Sequence, residues 1–135
     1  MAVQFSVAVR NARLDAFETT VGASAVMKIF TGSPPANCAS ADSGTVLATL
    51  NLPSDWMAAA SGGSKSLSGS WQDLSADATG TAGYFRVYAT GGTVCGMQGT
   101  VSAAGGGGDM IVNSTAFTAG QSFTVNTFTL TDANA

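Results

Sequence analysis

After Gly22 the sequence is interrupted so often by glycine, by proline and by clusters of Ser, Asn and Asp that only short elements fit between the breaks. The intervening runs are rich in Val, Ile, Phe, Tyr and Thr, residues that suit a pleated, half-buried surface. Residues 24–31 (SAVMKIFT) predict a strand closed by Gly32, Ser33 and the pair Pro34-Pro35, and residues 44–52 (GTVLATLNL) a second one stopped by Pro53. Residues 83–89 (GYFRVYA) alternate strongly and meet the turn Thr90-Gly91-Gly92, so residues 93–101 (TVCGMQGTV) are expected to return as a hairpin. Gly105–Gly108 lead into a short apolar stretch at 109–113, and residues 122–131 predict a last strand. In that strand Phe123 and Val125 share one parity while Phe128 and Leu130 share the other, which predicts a bulge or burial on both faces.

Residues 54–80 read differently. They are mostly Ser, Gly, Ala and Asp, with Trp56 and Trp71 as anchors, and are expected to form an extended surface segment with short strands around 67–71. Roughly six to eight short strands, with no helical segments between them, predict a mainly β fold: an antiparallel β-sandwich or barrel-like domain. A chain of 135 residues suits one such domain.

The first twenty residues depart from this pattern. Val7, Leu14, Phe17 and Val21 recur at helical spacing, Ser6 is a suitable N-cap and Gly22 a suitable stop, so an α-helix is expected over 6–20. Val3, Phe5, Val7 and Val9 also alternate with period two, which competes with the helix at its start. The organisation expected is an N-terminal helix or assembly arm over 1–22 and a single β-sandwich domain over 23–135. An isolated helix of this length is marginal in water, so its apolar side must be covered by the sandwich or by a neighbouring subunit. In the second case Val7, Leu14 and Phe17 would face the partner, with Arg10, Arg13, Asp15 and Glu18 near the rim. Trp56 and Trp71 either pin the 54–80 segment to the sandwich or anchor an interface, where Trp is enriched; a sugar-binding platform is the third reading. The candidate assembly residues are therefore Val7, Leu14, Phe17, Trp56 and Trp71.

Catalytic patterns are missing. The chain has no histidine, which removes the usual general base and the commonest metal ligand and leaves a Ser or Cys nucleophile without its activator. Asp42, Asp55, Asp73, Asp77 and Asp109 sit in Gly- and Ser-rich stretches where Asp ordinarily forms turns, and no calcium-loop pattern joins them. Gly105–Gly108 lack the Lys-Ser/Thr of a phosphate loop and read as a flexible turn or a place of close approach by another chain. No enzymatic activity, cofactor or metal is expected.

Only 10% of residues are charged, where about 25% is usual, and the net charge is −3. Small uncharged residues in their place suit a surface covered by neighbours; five scattered basic residues supply no stripe for direct nucleic-acid binding. No run approaches the ~20 apolar residues of a membrane span. The first residues lack the pattern of a signal peptide, so synthesis in a cytoplasm is expected. Cys38 and Cys95 should then be thiols rather than a disulfide, Cys95 buried and Cys38 more accessible, with late oxidation open to a product that leaves the cell.

The stretches RLDAFETTVGASAVMKIFTGSPPANC, GTVLATLNLP, GTAGYFRVYATGGTVCGMQGTV and GGGGDMIVNSTAFTAGQSFTVNTFTLTDANA, which together span most of the chain, resemble a group of small proteins encoded in the structural gene clusters of tailed bacteriophages. The resemblance implies a virion structural protein: a capsid decoration or minor capsid protein, or a head–tail part. Its partners would be other virion proteins, capsid or tail subunits, and further copies of itself as a homo-oligomer. The alternative is a host-recognition module on a fibre or baseplate that binds a surface glycan or protein. The chain lacks the long trimerising shaft of such an adhesin.

Overall fold

Ser6 and Gly22 set the ends of α1 (Val7–Val21) in the computed structural model, which describes residues 3–135. The Ser6 hydroxyl accepts from the Val9 N–H at 3.3 Å, and Gly22, with φ +96°, donates its N–H to the Glu18 carbonyl at 2.8 Å. A left-handed cap of this kind favours glycine, which carries no Cβ penalty there. The helix expected over 6–20 is thus confirmed to within a residue at each end.

Ten strands follow: β1 (Val26–Thr31), β2 (Val46–Asn51), β3 (Ser64–Ser66), β4 (Trp71–Asp73), β5 (Gly80–Tyr88), β6 (Cys95–Ala103), β7 (Met110–Val112), β8 (Ala116–Phe117), β9 (Phe123–Val125) and β10 (Thr129–Thr131). The main sheet runs β2-β1-β5-β6-β7, with β8 on the early part of β5. Two ribbons, β3 with β10 and β4 with β9, lie apart from it. The result is the mainly β, sandwich-like fold with one N-terminal helix that the strand spacing predicts.

One face of the main sheet supplies Met27, Ile29, Phe85 and Val87 to the core, and Leu52, Trp56, Trp71, Phe123, Val125 and Phe128 close it from the other side. Aromatic rings run through this core as a chain. Phe17 meets Trp56 edge-on with centroids 5.7 Å apart, Trp56 meets Trp71 at 5.9 Å, Trp71 meets Phe128 at 5.6 Å, and Phe128 meets Phe85 at 5.6 Å. Such offset and edge contacts add about 0.5–1.5 kcal/mol each beyond area burial.

Several expectations need correction. Residues 54–80 are no surface segment: they hold β3 and β4 and bury Trp56, Met57, Lys65, Trp71 and Ala76. Small residues in this stretch conceal large buried ones. The last strand is neither bulged nor continuous. It breaks after Val125 and pairs first with β4 (Trp71↔Val125) and then with β3 (Leu130↔Lys65), and the parity change marks the crossing between ribbons. The strands also outnumber the expectation.

The glycine run is an ordered turn that packs on its own chain. It brings β7 alongside β6 in parallel, with Val101 opposite Met110. A Cβ on Gly108 would lie 2.7 Å from the Ser102 nitrogen, so no side chain fits there. Asp109 ties the turn down by accepting from the Thr100 N–H at 2.8 Å and its hydroxyl at 2.9 Å.

Candidate assembly surface

Several polar residues of α1 (Arg10, Asn11, Asp15 and Glu18) bond to the rest of the chain. Lys65 of β3 is 3% exposed and ion-paired with Asp15 at 2.6 Å and Glu18 at 2.9 Å. The same carboxylates accept from backbone N–H groups, Asp15 from Ala60 at 3.0 Å and Glu18 from Met57 at 3.1 Å, while Asn11 accepts from Gly63 at 2.8 Å. Arg10 donates to the Asp132 carbonyl at 3.0 Å and Arg13 pairs with the Asp132 carboxylate at 3.1 Å. The helix is thereby fixed to residues 57–65 and to Asp132 just after β10. The hydrogen bond from Lys65 holds the Asp15 carboxyl below its usual range. Burial alone would lower the Lys65 ammonium, but its bonds to Asp15 and Glu18 outweigh that and raise it.

This arrangement decides most of the candidate assembly residues. Trp56 and Trp71 have no exposed surface, and their indole N–H groups donate to the carbonyls of Gly22 and Trp56, each at 2.9 Å. They are core residues, so neither an interface anchor nor a sugar platform can use them without unfolding the core. Leu14 is 8% exposed and Phe17 packs on Trp56, so both belong to the chain's own core. Arg10, expected at the rim, is buried. Of the five, Val7 alone remains largely exposed, at 49%.

Of the exposed large apolar residues among those described, Leu74 and Ile111 lie elsewhere, and Val3, Val7, Val9 and Val94 lie among or beside these residues. Val3, Val7 and Val9 are exposed on and just before the first turn of α1. On the flank of the same helix, Ala16, Phe17, Thr20 and Val21 face Ala89, Val94, Cys95 and Gly96 across a groove of about 390 Å³. Val94, at the tip of the β5–β6 hairpin, is 68% exposed. The lining of the groove carries no charged side chain.

The opposite face of the main sheet holds a second polar centre. Tyr84, Arg86 and Tyr88 alternate along β5 onto this face beside Phe30, and all four are buried beneath residues 32–45. The Arg86 guanidinium donates to the carbonyls of Asn37 and Ser40, to Gln98 at 2.9 Å and to Asp42 at 2.7 Å. Tyr88 donates to the same Asp42 carboxylate at 2.6 Å, and its phenol is raised first by burial and then by that bond. Cys38 and Cys95, both half-buried free thiols, meet beside this centre with their sulfurs 2.8 Å apart. Cys95 is therefore less enclosed than its strand position predicts. A lone Arg between two tyrosines of one parity is the sequence signal for this centre; Lys65, among serines and glycines, offers none.

The carboxylates are committed to structure. Asp73 accepts from the Thr49 N–H and Asp77 from the Thr49 hydroxyl, which covers the outer edge of β2. Asp15, Glu18, Asp42, Asp109 and Asp132 are engaged as described, and among the described residues Asp55 is the one carboxylate without such a bond. No group of three or more Cys, Asp or Glu that could hold a metal occurs among the described residues, and no described helix is long and apolar enough to cross a membrane. The chain matches no known family, no curated protein and no solved structure.

Proposed function

We propose that this chain is a non-enzymatic structural component of a tailed-phage virion, a capsid decoration or minor capsid protein or a head–tail part, acting by protein–protein assembly. The reading starts from the resemblance of its segments to small proteins of phage structural gene clusters, and the observation of the molecule that carries it is a charge-poor chain with exposed valines at the start of α1 and on the β5–β6 hairpin. Three features of the molecule support it. Its carboxylates other than Asp55 are spent on internal hydrogen bonds and ion pairs, which leaves no second free acid to pair with Asp55 for hydrolysis. Its surface is poor in charge, as suits a protein flanked by neighbours. Among the described residues, four of the six exposed large apolar residues, Val3, Val7, Val9 and Val94, lie at the start of α1 or beside the groove between α1 and the β5–β6 hairpin, where a capsid or tail subunit or another copy of the chain would dock, while Leu74 and Ile111 lie elsewhere. The burial of Trp56 and Trp71 removes the aromatic platform a glycan-binding fibre module would use.

The test is quantitative mass spectrometry of gradient-purified virions against the soluble lysate. The protein is expected in the particle, at a ratio to the major capsid subunit near unity for a decoration protein and far lower for a neck or tail part. Recovery in the soluble fraction alone overturns the proposal.

A further inference from the structure

The segment over the second face of the main sheet, residues 32–45, contains no strand and covers Phe30, Tyr84, Tyr88 and Arg86. Its attachments converge on one spot. Asn37 folds the chain on itself, its side-chain oxygen accepting from the Ala39 N–H at 2.9 Å and the Ser40 N–H at 3.1 Å. That turn offers the Asn37 and Ser40 carbonyls to Arg86 and carries Cys38 to Cys95, the first residue of β6. Cys95 stands opposite Tyr88 where the β5–β6 register shifts. The two thiols come from positions 57 residues apart, yet their sulfurs are 2.8 Å from each other. A disulfide bond is about 2.05 Å long, so bond formation requires a movement of less than an ångström.

We infer that Cys38 and Cys95 form an intramolecular disulfide when the protein passes from reducing to oxidising surroundings, fastening residues 32–45 to the main sheet. The oxidant is a small disulfide such as oxidised glutathione. One protein thiolate attacks it, giving a mixed disulfide and releasing one small thiolate. The other protein thiolate then attacks the protein sulfur of the mixed disulfide, forming the Cys38–Cys95 bond and expelling the second small thiolate. Two protein thiols are oxidised and one small disulfide is reduced, the two protons lost by the protein thiols being taken up by the two expelled thiolates to give two small thiols. Burial, and then the hydrogen bond with Cys38, pushes the Cys95 thiol up to about 12, while the nearby Arg86 guanidinium pulls it down. Attack by the Cys95 sulfur is accordingly slow near neutrality and faster as pH rises. Arg86 and Asp42 already hold the segment in place, so the reduced protein keeps the same fold and the bond adds permanence. The inference is independent of the virion reading, since it concerns the isolated chain.

The experiment uses the full chain purified in reductant, freed of it, and incubated with oxidised glutathione at pH 8. The expected product is a monomer lighter by two hydrogens, whose non-reducing peptide map joins Cys38 to Cys95. Closing so long a loop should raise Tm by on the order of 10 °C, reversed by dithiothreitol. Cys95→Ser under the same treatment should retain a glutathione adduct on Cys38 and show no such rise. A stable glutathione adduct on the wild-type chain, disulfide-linked dimers, or two thiols still titratable after incubation would each overturn the inference.

Discussion

Replacing Leu14 and Phe17 together with alanine separates a helix that belongs to this chain's core from one reserved for a partner. Leu14 is 8% exposed, so Leu14→Ala removes nearly a whole buried side chain at the edge of the core, where neighbours relax; about 2–3 kcal/mol is expected. Phe17 is half-buried and meets Trp56 edge-on at 5.7 Å, so Phe17→Ala costs about 2 kcal/mol including the ring contact. The two lie one turn apart and share neighbours, so the double variant should lose roughly 4–5 kcal/mol with some coupling. Against a usual total of about 5–15 kcal/mol this leaves a marginal protein, with Tm lowered by roughly 12–25 °C. Thermal melts followed by circular dichroism, with light scattering to confirm the monomer, read the effect. Val7→Ser, at a residue 49% exposed, serves as the control and should stay within about 0.5 kcal/mol of the parent. A double variant that melts like the parent but no longer enters particles would refute the reasoning and return α1 to the role of a free handle.

Trp71→Phe removes the indole N–H bond to the Trp56 carbonyl, which keeps its bond from the Ser68 N–H, and leaves a gap in the core, so a loss of about 1–3 kcal/mol in urea unfolding is expected, and an unchanged midpoint would show the indole to be dispensable. The lowered Asp15 carboxyl contributes stability that is present above its usual value of 3.8 and is lost as pH falls through the lower folded value, so Tm should drop in strong acid, and less so in Lys65→Met. The raised Lys65 ammonium contributes stability present below 10.5 and lost as pH rises through its higher folded value, which Tm measured up to strong alkali would reveal. Deleting residues 122–135 removes β9, β10 and the buried Phe123, Val125 and Phe128, and should leave insoluble or unfolded protein; a soluble fragment that melts cooperatively would contradict the two-layer core.

The sequence reveals what is decided locally. The ends of α1 are written in Ser6 and Gly22, and the β5–β6 hairpin in its alternation and its Gly91-Gly92 turn. It conceals what is decided by distant residues. Trp56 is buried because Phe17 and Trp71 meet it, and Lys65 because Asp15 and Glu18, some fifty positions away, neutralise it. An interface reading for Leu14 and Phe17 was equally compatible with their spacing, since an apolar stripe records that something covers it and not what. The parallel β6–β7 pair lay outside the usual expectation because parallel neighbours ordinarily need a crossover of a dozen or more residues; here a glycine turn with no room for a Cβ at Gly106 or Gly108 makes the link.

The division of the final stretch between β4 and β3 also orders events during synthesis. Strands β1, β2, β5 and β6 are complete once Ala103 has emerged, so the centre of the main sheet can assemble while Met27, Ile29, Phe85 and Val87 have only the part of their cover that Leu52, Trp56 and Trp71 supply. The residues that finish that cover, Phe123 to Thr131, arrive later, and at about 5–20 residues per second the apolar face stays partly uncovered for on the order of seconds. During that interval a nascent chain presents the surface on which two incomplete copies would stick to each other. Slower growth at lower temperature, or a chaperone that holds the half-built sheet, should therefore govern the yield of soluble protein more strongly than any single side chain on the finished surface.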